Sequence, residues 1–193
     1  MTNDAILYGE AQNDIFIRAL GRVTVNICYE LRDRVFTRLN DQPHVGNIYI
    51  DLSRCDYMDS TFMGIMLGIN KKLKRITDTG LTLVCPTEEC SNLFTGLNIL
   101  RFFTIRRNLV SFPPILETIS TFARPTPDVM LAAHDDLAEV SPANANKFRI
   151  LRDILQKKVV EERRKATERG VAIDEDPEDQ PPPPSPTITL SDE

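Results

Sequence analysis

Between residues 47 and 85 the apolar period of the chain changes twice, and this limits the fold more than any other feature. Asn47 to Ser53 runs apolar through Ile48, Ile50 and Leu52, with Tyr49 and Asp51 on the other face, which predicts a strand. From Ser60 the spacing becomes helical, with Phe62, Ile65, Met66, Ile69, Leu73 and Ile76 apolar. Lys71, Lys72, Lys74 and Arg75 near its end complement the negative pole of a helix dipole, and Gly80 suits the C-cap region. Leu81 to Cys85, closed by Pro86, then predicts a second buried strand. A strand, a helix and a strand in so short a stretch require a sheet with helices packed on it.

The flanking segments extend the pattern. Ile15–Arg18 and Arg22–Val25 read as short strands split by a turn at Ala19-Leu20-Gly21, where glycine can take positive φ. Asn26 is positioned to cap a helix whose Ile27, Leu31, Val35 and Leu39 form one stripe, and Asn40-Asp41-Gln42-Pro43 stops it. Thr87 to Leu97 predicts a short helix, Arg101 to Arg106 a strand, and Pro113-Pro114 the start of a helix through Leu116 and Ile119 to Phe122. The sum is an α/β domain over residues 1–124: a mixed sheet of four to five strands with about four helices.

After the stiff break at Arg124-Pro125-Thr126-Pro127, a helical extension is expected over 125–170. Its first helix carries Val129, Ala133, Leu137 and Val140, and its second opens at Ser141-Pro142 with Phe148, Leu151, Ile154, Leu155 and Val159 as a stripe. If helical from 142 to 169, the second would reach about 42 Å, longer than so small a core can cover. Part of it is therefore expected to project or to pack on another subunit. Residues 171–193 combine Pro181 to Pro184 with seven acidic groups and few apolar ones, the composition of a disordered tail.

Charge and cysteine usage exclude more than they specify. Without the seven tail acids, 21 acidic residues face 23 basic ones, so the body carries no field strong enough to attract nucleic acid. Asp4, Glu10, Asp14, Arg18 and Arg22 interrupt the first thirty residues, and no later stretch has the roughly 20 apolar residues of a membrane span. A cytoplasmic location is expected. Cys28, Cys55, Cys85 and Cys90 lie apart and suit reduced thiols in a core. Catalysis finds little support, since His44 and His134 lie far apart in sequence and Ser60 sits in no G-x-S-x-G elbow. No glycine-rich phosphate loop or metal-binding cluster stands out, and no cofactor is expected.

The function is carried by residues 48 to 68. A strand ending Asp51-Leu52-Ser53, followed by Met58-Asp59-Ser60-Thr61 at the start of a helix, resembles the STAS family of anti-sigma-factor antagonists. The resemblance covers roughly residues 10 to 122 and includes Asn92-Leu93-Phe94 to Gly96-Leu97. It departs at Phe62, where the family usually has glycine. The resemblance implies a phosphoprotein that regulates transcription by partner switching. Unphosphorylated, it would bind an anti-sigma factor that is also a serine kinase with a histidine-kinase-like ATPase fold. Phosphorylation of Ser60, with Thr61 as the alternative acceptor, would release that partner, and a metal-dependent serine phosphatase would reset the site. Asp59, Ser60, Thr61, Phe62, Met63 and Gly64 would form the contact face.

Chemistry alone supports part of this. A hydroxyl at a helix N-terminus faces unpaired N–H groups and the positive dipole end, so a phosphate is tolerated there. It would add roughly −1.5 to −2 charges beside Asp59 to what is expected to be an exposed surface. Ser60 and Asp59 also suit plain helix caps, and Gly64 and Gly68 plain close packing. Two other readings stand beside the antagonist: a scaffold of a multi-protein sensory complex, and an accessory subunit of a transporter ATPase. The C-terminal helices are expected to pack on the chain's own core or to form a homodimer, with a partner's groove as the alternative.

Overall fold

The computed structural model describes residues 4–41, 44–119 and 125–168. The described chain folds as β1 (Ala5–Ala11), β2 (Asp14–Val23), α1 (Val25–Asn40), β3 (Ile48–Met58), α2 (Ser60–Ile76), β4 (Thr82–Val84), α3 (Glu88–Gly96), β5 (Thr104–Arg106), β6 (Glu117–Thr118), α4 (Pro127–Ala138) and α5 (Pro142–Glu168). The strands form one sheet in the order β5-β4-β3-β2-β1-β6. β2 to β5 run parallel, while β1 is antiparallel to both β2 and β6. This is the mixed α/β architecture expected from the sequence, with six strands rather than four or five.

The core forms on the face of the parallel strands where every second residue is apolar. Ile15, Ile17, Ile48, Ile50, Leu52 and Leu83 are fully buried, covered by Leu31 and Val35 of α1 and by Phe62, Met66 and Ile69 of α2. Cys28, Cys55 and Cys90 are free thiols in this core, and Cys85 is half-buried. Asp51 is buried at the middle of β3, where it accepts from Arg18 Nε at 2.9 Å and from the Ser53 N–H at 3.0 Å. The Asp51-Leu52-Ser53 run therefore holds β2 to β3.

Three sequence expectations are corrected. The opening hairpin turns at Gln12 and Asn13, both with positive φ, and β2 continues through Gly21 without a turn. Gly21 does take positive φ (62°), but it serves a bulge that shifts the β2–β3 register. Helix α1 is capped neither by Asn26 nor by its N-cap residue Thr24; the acceptor comes from Asp59, as described below. The helix expected from Pro113 is absent from the described residues 113–119. Glu117 and Thr118 instead pair with β1, and the Ile119 N–H donates to Ile6 O at 2.8 Å, so a sheet edge satisfies this backbone. Phe122, part of the Asn40-Asp41-Gln42-Pro43 stop and the acidic tail lie outside the described residues.

The extension is continuous with the domain. Residues 1–159 form one compact unit, and Val160 onward a second, whose described part is the end of α5 with i,i+4 pairs Glu161–Lys165 and Arg164–Glu168. Within the first unit α4 packs on α2. Asn144 of α5 donates to Leu97 O at 2.9 Å and to Leu137 O at 3.1 Å, tying α5 to both the domain and α4. Phe148, Leu155 and Val159 are buried as the stripe predicts, whereas Ile150 (66% exposed) and Ile154 (47%) face outward.

Candidate functional site

The site grows from the junction between β3 and α2. Asp59 has extended backbone and is the N-cap of α2, its Oδ1 accepting from the Phe62 N–H at 2.9 Å. Its Oδ2 accepts from the Val25 N–H at 2.7 Å, the first residue of α1. One carboxylate thus caps two helices whose positive ends converge on it. Both oxygens are engaged within the chain, so of the two readings of Asp59 capping is the one its geometry serves.

Ser60 opens α2 directly beside this cap. It is half-buried, and its Oγ lies 3.0 Å from His134 Nε2 of α4. His134 is 1% exposed, and its Nδ1 lies 2.7 Å from Met130 O. Only an N–H can serve a carbonyl, so Nδ1 carries the proton and Nε2 accepts from the Ser60 hydroxyl. Burial lowers the His134 pKa from the ordinary imidazole value, against the Met130 carbonyl and the charges of Asp59 and Asp135 that favour the cation. The ring is further enclosed by Phe148, with centroids 5.2 Å apart.

The expectation of an uncovered Ser60 is therefore not met in the free chain. The chain's own fourth helix lies over the hydroxyl. Thr61 (4% exposed) and Met63 are buried, Phe62 is fully buried in the core, and Gly64 is covered by α4. Of the six residues expected to form a contact face, only Asp59 and Ser60 keep partial exposure. The departure at Phe62 is a core substitution, since its ring points beneath the helix rather than at a docking surface.

A serine on a neutral histidine nitrogen whose other nitrogen is held by a carbonyl is half of a nucleophile relay. His134 is packed against Phe148, and Ser60 beside it is half-buried. A hollow of about 610 Å³ lies elsewhere, at the ends of β4 and β5, lined by Cys85, Pro86, Glu88, Ser91, Leu100, Ile105 and Arg107. Among the described residues no group of three or more His, Cys, Asp and Glu side chains is placed to hold a metal, and no helix is long and apolar enough to cross a membrane.

The family model of the STAS domain matches residues 8–111, more than half of the chain. The chain belongs to the STAS domain family. Solved structures similar to this STAS chain include the anti-sigma factor antagonist SpoIIAA in its unphosphorylated form, 20% identical over 53% of this chain and 89% of that one, with a TM-score of 0.47. A putative anti-sigma factor antagonist from Thermotoga maritima is 19% identical over 53% and 86%, also at 0.47. The phosphorylated form of SpoIIAA, a Bacillus cell fate determinant, is 19% identical over 53% and 92%, at 0.45. No curated protein matches the sequence. The matched region ends before α4, so His134 lies outside the part of the chain that carries the family resemblance.

Proposed function

We propose that this STAS protein is an anti-sigma-factor antagonist that works by partner switching, with Ser60 as its phosphorylated residue. The observation that carries this reading is the position of Ser60 at the first residue of α2, beside a carboxylate already committed to capping. The N–H groups of the first turn accommodate a phosphate there without disturbing the core. The partner is an anti-sigma factor that doubles as a serine kinase, with a metal-dependent phosphatase acting in reverse; both work in the cytoplasm.

The half-buried state of Ser60 adds a step. Phosphate on Oγ cannot share the 3.0 Å gap to a buried neutral imidazole, so kinase access and phosphorylation both require α4 to move. Mass spectrometry of the protein from growing cells is expected to find phosphate on Ser60. Titration calorimetry with the kinase is expected to show Ser60→Asp weakening binding by about tenfold or more, some 1.4 kcal/mol. Equal affinity of the two forms would refute the switch.

A second reading, the scaffold subunit, draws on the outward-facing Ile150 and Ile154 of α5. Light scattering on the full chain and on an Ile150→Glu/Ile154→Glu variant separates the readings, because a scaffold assembled through α5 loses its oligomer.

A further inference from the structure

The face of α2 that bears Ser60 has the shape of a seat for another helix. Ser60, Gly64, Gly68 and Lys71 follow at intervals of four, four and three residues, which places them on one side. Gly64 and Gly68 leave two positions of this face without side chains, with Leu67 beside them, and α4 lies in the resulting trough. A Cβ at Gly64 would stand 2.2 Å from the Ala133 carbonyl oxygen and 2.8 Å from the Ala133 Cβ, and one at Gly68 would stand 2.5 Å from Asp136 Oδ2. Polar contacts at both ends set the register. Ser60 holds His134 at one end, and Lys71 Nζ reaches Asp136 Oδ1 at 2.7 Å and Glu139 Oε2 at 2.6 Å at the other.

The apolar side chains that the seated helix buries are few. Val129, Ala133, Leu137 and Ala138 are its buried apolar residues, and two of those four are alanines. The Lys71 pairs are partly solvated on every partner, and such pairs contribute little. Helix-in-groove recognition lays the apolar face of an amphipathic helix into a groove, and here Val129, Ala133 and Leu137 supply that face.

We propose that this trough is a helix-docking site at which α4 stands in for a helix of a partner protein. The proposal rests on the reading of α2 as the docking face and specifies what docks there. The partner helix is amphipathic, with alanine or glycine at the crossing with Gly64 and a carboxylate three to six residues later to meet Lys71, as Asp136 and Glu139 follow Ala133. Partner and α4 compete for one surface, and phosphate on Ser60 acts on whichever helix occupies it.

The test uses the full chain and a fluorescein-labelled synthetic peptide of its residues 126–140, followed by fluorescence anisotropy. The native chain is expected to bind the peptide weakly, since its own helix competes at an effective concentration on the order of millimolar. Ala133→Trp cannot seat its own α4 against Gly64 and is expected to bind at least about tenfold tighter, a difference of about 1.4 kcal/mol. Adding Gly64→Leu fills the trough and is expected to abolish that gain. Leu137→Asp, which puts a charge at a fully buried position of α4, vacates the trough by a second route and decides the matter if Ala133→Trp does not fold. Equal peptide affinity in the native and displaced chains overturns the proposal, as does a gain that Gly64→Leu leaves intact. A failure of the Ser60 switch shows only in kinase binding by Ser60→Asp, so the two readings fail separately.

Discussion

Substituting Gly64 by alanine sets two effects of known sign against each other. In a free helix, alanine is favoured over glycine by about 0.8–1 kcal/mol. Here the added methyl would meet the backbone of Ala133 at 2.2 Å, and a carbonyl oxygen within a helix cannot rotate away as a side-chain tip can. Overpacking of this kind costs about 1–3 kcal/mol, so the net expectation is a loss of about 1 kcal/mol, with α4 shifted outward. Full ejection of α4 would forfeit burial of Val129 and Leu137 at about 1.5–3 kcal/mol each, which favours displacement over release. Gly96, at the end of α3, provides the contrast, since a Cβ there meets nothing within 4 Å. Gly96→Ala is expected to be neutral or to stabilise by up to about 1 kcal/mol. Urea unfolding of both variants, with hydrogen exchange over residues 127–138, measures the difference of about 1–2 kcal/mol. If Gly64→Ala stabilises the chain as Gly96→Ala does, and exchange in α4 is unchanged, then the close seating of α4 is wrong.

Three further outcomes follow from the same geometry. Asp59→Ala removes the acceptor of two helix starts and is expected to cost about 2 kcal/mol by urea unfolding, twice a typical cap, with Asp59→Asn near half of that because one acceptor oxygen remains. Ser60→Ala leaves the buried Nε2 of His134 without its donor and is expected to destabilise by about 1–2 kcal/mol, with faster exchange in α4. Acidification acts on the same nitrogen. Because the folded-state pKa of His134 lies below the ordinary value of about 6.5, the unfolded chain takes up more protons in that window, and stability rises with pH. This contribution is complete above about pH 6.5 and is lost as pH falls toward the folded-state value. Asp59, Asp135 and Arg152 surround the ring, and a His134→Gln variant is expected to flatten the urea midpoint between about pH 7 and 5.5. An unchanged slope in that variant would assign the titration to another group.

The sequence located α2 well because its signals agree. A cap residue, a helical apolar period and a basic last turn all act within the segment itself, and the observed helix runs Ser60–Ile76 as expected. It misjudged places where distant pairing decides. Gly21 signalled positive φ, which serves a turn and a bulge equally well; the length of β3 beside it makes it a bulge. Pro113-Pro114 resembles a helix start, yet the open edge of β1 draws Glu117 and Thr118 into the sheet. The contact of His134 with Ser60 spans 74 residues and left no local trace. Its two halves were visible separately, as the Val129, Ala133, Leu137 stripe needing a surface and as the Gly64, Gly68 spacing offering one. Periodicity can show that a helix has an apolar face without naming the face it meets.

The double duty of Asp59 bears on how added charge at Ser60 would be felt. A carboxylate on a free rotamer could swing from a new phosphate and absorb the repulsion locally, but this one is clamped at 2.7 and 2.9 Å by the amides of two helices. The inner side of the site thus behaves as a fixed wall, and the strain of an added anion is directed outward, onto the one neighbour that can travel.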